Sequence, residues 1–174
     1  GNKYLTYPWQ ARDNYIRVIL DRSDENVTKF LQENCKVILN EKTTNDILIL
    51  LEIQRQCMLM YTSCGWFFDE ISGIETIQIL QYACRAINLA SKFGLDLETD
   101  FIQKLSAAPS NIAEMQNGAT VYKKEVLPQR ITLRQVAEHI TVFAMHEHTL
   151  HVTWLYNFKI EYYQFKRYRS GENE

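Results

Sequence analysis

Three prolines and six glycines in 174 residues leave few places where the chain must break or turn sharply. So few breakers exclude collagen-like and low-complexity classes and favour long regular elements. The four cysteines, Cys35, Cys57, Cys64 and Cys84, form no CxxC pair. That argues against a redox dithiol, a zinc ribbon or a disulfide framework. They read as buried free thiols in a reducing cytoplasm. No uninterrupted apolar run reaches transmembrane length. The best, residues 47–61, is broken by Glu52, Gln54, Arg55 and Gln56, so no membrane partner is expected. A formal net charge of −2 lacks the basic excess of a dedicated nucleic-acid binder. No signal peptide opens the chain, and residue 1 is Gly rather than Met. That is the pattern expected of a piece of a larger protein. Asn26-Val27-Thr28 matches a glycosylation sequon, a chance match without a secretory signal.

What is present points to a helical domain. Hydrophobic residues make up 46% of the chain, enough for one globular core and too many for a disordered segment. Pro8 suits the first turn of a helix reaching about Asp21, with Trp9, Tyr15, Ile16, Ile19 and Leu20 at helical spacing. Ser23 caps a second helix carrying Val27, Phe30 and Leu31, with Asp24 and Glu25 in its first turn. Thr43 or Thr44 opens a third that reaches about Thr62. Ile47, Leu50, Leu51, Gln54, Met58 and Tyr61 trace one of its faces, and Leu48, Ile49, Ile53, Cys57 and Met60 widen it. A helix apolar on most of its circumference is central in a bundle. Glu52 and Arg55, three apart, pair on its surface.

Ser72-Gly73-Ile74-Glu75 reads as a capping box for a fourth helix, which Gly94 stops. Asp96 caps a fifth, with Phe101, Ile102 and Leu105. Ser110 starts a sixth, interrupted by Gly118 and ended before Pro128. Thr132-x-x-Gln135 caps a seventh, with Val136, Ile140 and Phe143 on its face. The period then changes to two over residues 152–163, a strand that needs a hairpin partner, a second chain or a missing part of its parent. The expected architecture is a bundle of about seven helices with a short C-terminal β segment. Its centre is the antiparallel pair 44–63 and 74–93.

Between that central pair runs Met60-Tyr61-Thr62-Ser63-Cys64-Gly65-Trp66-Phe67-Phe68-Asp69-Glu70-Ile71-Ser72-Gly73-Ile74-Glu75. Three adjacent side chains on a turn point in different directions, so Trp66, Phe67 and Phe68 cannot all face one core. Rings beside carboxylates suit a sugar site or a protein interface. The plainer reading is a helix–helix corner packed by aromatics. Adjacent Asp69 and Glu70 are poorly placed as a catalytic pair, which needs carboxyls about 5 to 9.5 Å apart across a glycosidic bond. Cys64 precedes a helix but has no nearby His, so it reads as a turn thiol. His146-Glu147-His148-Thr149-Leu150-His151 is not HExxH, because Leu150 occupies the second His position. On a helix His146 and His148 lie about 200° apart, and on a strand they face opposite ways. Lys166-Arg167-Tyr168-Arg169 interleaves cations and aromatics, a pattern of single-strand nucleic-acid binders. The balancing acids favour a solvated tail.

These residues also carry a resemblance. Glu52-x-x-Arg55, the run from Met60 to Glu75 and Leu80-Gln81-Tyr82-Ala83 are similar to a helical region of bacterial proteins related to glycoside hydrolase family 57. That region follows their barrel and is described as a domain of unknown function; the proteins are α-amylase- or α-mannosidase-like. Trp9-Gln10-Ala11-Arg12-Asp13-Asn14-Tyr15-Ile16, Leu20-Asp21-Arg22-Ser23 and Ser110-Asn111-Ile112-Ala113-Glu114 fit the same family. The resemblance covers most of the chain and is densest over 52–83.

It implies a parent enzyme of retaining mechanism on α-glucan-type substrates, with its catalytic Glu and Asp on an N-terminal barrel. This chain lacks room for that barrel, so residues 1–174 are expected to be one inactive helical domain packing on it. Trp66 with Phe67 or Phe68 would stack on an oligosaccharide, and Asp69 would accept a hydroxyl hydrogen bond. Arg55, Tyr61 and Glu52 would support them. Gly65 stands where typical members carry an Asp. No catalytic residue, metal ligand or cofactor is assigned. The alternative is a docking or oligomerisation module with no ligand, its C-terminal strand pairing in a homodimer.

Overall fold

A computed structural model describes residues 2–131, 133–147, 154–155 and 158–159, apart from the side chains of Trp66, His146, Glu147 and the four strand residues. The fold is mainly α, as the periodicity predicts. Two compact units divide it, residues 1–130 and 131–174.

In the first unit, α1 (Pro8–Asn14) and α2 (Ile16–Leu20) replace the single helix expected to reach Asp21. The break falls at Tyr15, whose N–H bonds back three residues to Arg12 at 3.2 Å rather than four. The Tyr15 ring packs against Phe30, with centroids 6.1 Å apart. Ala11, Tyr15 and Val18 are buried, while Trp9, Ile16 and Leu20 stay outside. α3 (Asp24–Asn34) starts as read: the Ser23 hydroxyl accepts from the Asn26 N–H at 3.4 Å. A bridge between Leu5 and Cys35 ties the N-terminal segment to the end of α3.

α4 (Glu41–Leu59) opens earlier than Thr43, because the Asn40 side chain accepts from the Thr43 N–H at 2.8 Å and serves as the cap. α5 (Ile74–Ser91) packs along it. The two run antiparallel: Glu52 of α4 acts on Arg85 late in α5, while Gly65 beyond α4 faces Ile79 early in α5. One core cluster joins Leu5, Ala11, Tyr15, Val18, Phe30, Leu31, Ile47 and Leu51. A second joins Leu80 and Cys84 of α5 to Val121, Tyr122 and Val126.

Several boundary readings are overturned. Gly73, not Ser72, is the N-cap of α5, and no side chain caps it, so Glu75 completes no capping box. The Ser72 N–H is already taken, by Glu70 at 2.8 Å. Asp96 accepts from the Glu98 N–H at 3.2 Å at the start of α6 (Glu98–Leu105). Residues 110–117 are not helical; α7 (Gly118–Val121) begins at Gly118, capped by Asn117, and continues as a π-helical turn, Tyr122–Val126. Glycine is required there, since a Cβ on Gly118 would stand 2.9 Å from the Leu105 carbonyl oxygen. The Tyr122 hydroxyl donates to Glu98 Oε1 at 3.1 Å, and Arg130 bonds the same oxygen. Burial, reinforced by Cys84 and Glu98, pushes the Tyr122 phenol upward.

In the second unit, α8 (Leu133–Glu147) buries Val136 and Ala144 and leaves Phe143 exposed. β1 (Trp154–Leu155) and β2 (Phe158–Lys159) pair antiparallel, Trp154 opposite Lys159 and Leu155 opposite Phe158. Where described, then, the expected strand over 152–163 is two short ones. The rest of that span, Thr132, residues 148–151 and the Lys166–Arg169 cluster lie outside the described residues. No helix among the described residues is long and apolar enough to cross a membrane.

One carboxylate organises the first unit. Glu52 accepts from Arg55 at 2.9 Å, from Gln56 at 2.7 Å and from the Tyr15 hydroxyl at 3.3 Å, with Arg22 at 3.8 Å. Burial first, and the Glu52 charge second, push the Tyr15 phenol up to about 12 from 10.0. A raised pKa means stability that is complete below pH 10 and lost as pH climbs towards 12, because only the unfolded phenol ionises in that window. Urea unfolding at pH 9 to 12 should show this decline. Tyr15→Phe should remove about 2–3 kcal/mol of it. Identical pH slopes in the two proteins would refute the assignment.

Candidate functional site

The chain leaves α4 through Met60 and Tyr61 and crosses to α5 in a 3-10 turn, Ser63–Trp66, followed by bends. Gly65 lets this crossing lie against α5: a Cβ there would stand 2.5 Å from Ile79 Cδ1. With the backbone pressed onto α5, the next side chains project outward. Phe67 is 80% exposed and Phe68 56%. Their rings pack edge to face, centroids 5.1 Å apart at 79°, a favoured aromatic geometry that fixes both. Tyr61 is 71% exposed. The Trp66 side chain lies outside the described residues.

Behind the rings the turn is locked by a residue that sequence reasoning weighed only as half of a rejected acid pair. Glu70 Oε1 accepts from the Ser110 hydroxyl at 2.6 Å and the Ser72 N–H at 2.8 Å; Oε2 accepts from the Asn111 N–H at 2.7 Å. The Asn111 side chain donates in turn to the Asp69 carbonyl at 3.0 Å. The receiving loop is itself closed, Ser110 N–H to Gln116 carbonyl at 3.0 Å and Gly118 N–H to Ala108 carbonyl at 2.8 Å. Hydrogen bonds from Ser110, then Ser72 and Asn111, hold the Glu70 carboxyl down at about 2 from 4.5. The only sequence signal for this clamp was an acid followed two residues later by a small polar residue. Its partners lie some 40 positions on, and Ser110 there is read as the start of a helix rather than as a clamp.

The sequence-predicted residues divide accordingly. Phe67, Phe68, Asp69 and Tyr61 share the exposed crossing, and the Asp69 carboxylate makes no hydrogen bond among the described residues. Glu52 and Arg55 bind each other, Tyr15, Gln56 and Arg22, so their visible work is joining α4 to the α1–α2 break. Cys64 is exposed, and its thiol lies 3.5 Å from the Thr62 hydroxyl. Among the described residues no cluster of His, Cys, Asp and Glu is arranged to hold a metal ion. Two cavities of the first unit lie elsewhere. One, about 250 Å³, sits between the end of α5 and the start of α6, with Asn88, Ser91, Asp96, Glu98 and Arg130 on its walls. The other, about 290 Å³, lies between α1 and α4.

The chain belongs to the family described as Domain of unknown function (DUF3536), whose model matches residues 1–174. No curated protein and no solved structure matches the chain. Membership therefore supports the recognition of a domain of unknown function and leaves the role to the chemistry of the residues.

That chemistry makes the clamp testable. Its hydrogen bonds are complete above pH 4.5 and lost as pH falls through about 2, the direction for a depressed carboxyl. In amide NMR spectra the Ser72 and Asn111 signals should titrate together with a midpoint near 2. In Glu70→Gln, which puts donors where an acceptor is needed, exchange of the same two amides should quicken roughly tenfold or more. Unchanged exchange would show that the crossing holds without Glu70.

Proposed function

We propose that this domain is a non-catalytic helical part of a larger glycoside hydrolase or glucanotransferase of the family-57 type. In that reading it packs on the catalytic barrel and lends its aromatic crossing to the carbohydrate cleft. The observation that carries the reading is the exposed Phe67–Phe68 pair on a crossing fixed from behind by Glu70. Rings held in place before binding lose little entropy on contact, so they suit stacking against the C–H face of a sugar. Asp69 beside them offers an acceptor to a hydroxyl.

The two acids of the crossing support the non-catalytic part of this reading. Glu70 is committed to three hydrogen bonds and held ionised at any ordinary pH, so it cannot deliver a proton. Asp69 alone cannot provide both carboxyls that glycoside hydrolysis requires. Resemblance over residues 52–83 supports the parent class, and with it an α-glucan-type substrate and a barrel partner.

A second reading has its own support. Met58 and Ile74 are exposed as well, one on each helix flanking the crossing. Together with the rings they would suit a docking or oligomerisation surface with no ligand. One titration separates the two. With maltoheptaose, and separately with mannose oligosaccharides, the first reading expects saturable NMR shifts at residues 61–72. Phe67→Ala should weaken binding about tenfold, the effect of removing an anchor worth about 1.4 kcal/mol. Silence with both sugars, together with concentration-dependent self-association reversed by Phe67→Ala, would replace it with the second.

A further inference from the structure

The cavity between α1 and α4 does not contain the aromatic crossing, and its walls have a distinct chemistry. Its floor is apolar: Leu5 and Leu51 are buried, and Leu50 joins them. Trp9, 69% exposed, forms one wall. Trp9 is held by Arg12, whose guanidinium lies 4.9 Å from the ring centroid. Arg12 is fixed in turn by two bonds to one Asp13 oxygen, at 2.9 and 2.7 Å. On the α4 side the exposed Gln54 amide borders the same space and makes no hydrogen bond among the described residues.

We propose that this cavity binds one neutral pyranose ring, stacked against Trp9 and hydrogen-bonded by Gln54 and Arg12. Three features select that chemistry. The Arg12 charge is balanced by Asp13, and no other ionised residue lines the cavity, so neither an anion nor a cation gains from entering. Arg12 still has three N–H donors beyond the two bonds to Asp13, and Gln54 offers both a donor and an acceptor, a set matched to hydroxyls. A volume of about 290 Å³ stands at the lower end for small-molecule sites, room for one ring rather than a chain. The cavity also stands on the exposed face of α4.

The test does not depend on the function proposed for the crossing. Residues 1–174 are titrated with methyl α-glucoside, methyl α-mannoside and, as a flat heteroaromatic of similar size, adenosine, while the Trp9 indole N–H and the Gln54 side-chain amide are followed by NMR. At least one glycoside should shift both signals saturably. Gln54→Ala and Trp9→Ala, both at exposed positions that should fold, should each weaken binding at least fivefold. No saturable shift with either glycoside, equal binding by Trp9→Ala, or a response to adenosine only would each overturn the proposal.

Discussion

The first unit depends on α4 lying antiparallel along α5. Once two long helices are packed in that sense, the chain has to cross from the end of one to the start of the other, and that crossing cannot satisfy its own backbone as a helix does. Gly65 allows the crossing to press onto α5, and Glu70 takes up the Ser72 N–H that the turn leaves over. The same carboxylate reaches Ser110 and Asn111, so the crossing is joined to the loop leading into α7 and the second core. What projects from it is held from two sides. The exposed Phe67 and Phe68 are therefore a product of helix packing rather than the tip of a slack loop.

How much of this was legible follows from which interactions are local. Helix existence was, because apolar spacing is written into each segment: α3 with its Ser23 cap and the α4–α5 pair were read from it. Helix orientation was not always. α4 is apolar almost all round, so spacing could not choose its inner stripe; Gln54, Met58 and Tyr61 were placed inward and lie outside. Gln56 went the other way. It is buried because Glu52 accepts its amide N–H, a side-chain bond that no hydropathy pattern encodes. Trp9, Ile16 and Leu20 form one stripe at helical spacing, but the stripe on the opposite side, Ala11, Tyr15 and Val18, is the one that is buried.

The aromatic crossing was legible as a place and illegible as a mechanism. Three adjacent rings cannot all be buried, and that much needs no structure. The Glu70 clamp, by contrast, spans 40 positions, and neither end has an unusual local pattern. Ser72 also looked like a cap, since Ser followed three residues later by Glu is the usual signature. The signature failed because the Ser72 backbone was already engaged by Glu70, leaving Gly73 to start the helix. A local rule lost to a second carboxylate, one held at that N–H by its further bonds to Ser110 and Asn111.

Glu52 and Glu70 show why two carboxylates on the same helical hairpin have different consequences. Each accepts three hydrogen bonds, but the Glu52 donors include two neighbours on its own helix, Arg55 and Gln56, so it stiffens α4 and reaches out to Tyr15 and Arg22 beside the α1–α2 break. The Glu70 donors lie on the crossing and on a distant loop, so it fixes the position of a surface. The neighbouring Asp69 is what remains: a carboxylate next to two fixed rings, its backbone held by Asn111 and its side chain without a hydrogen bond among the described residues.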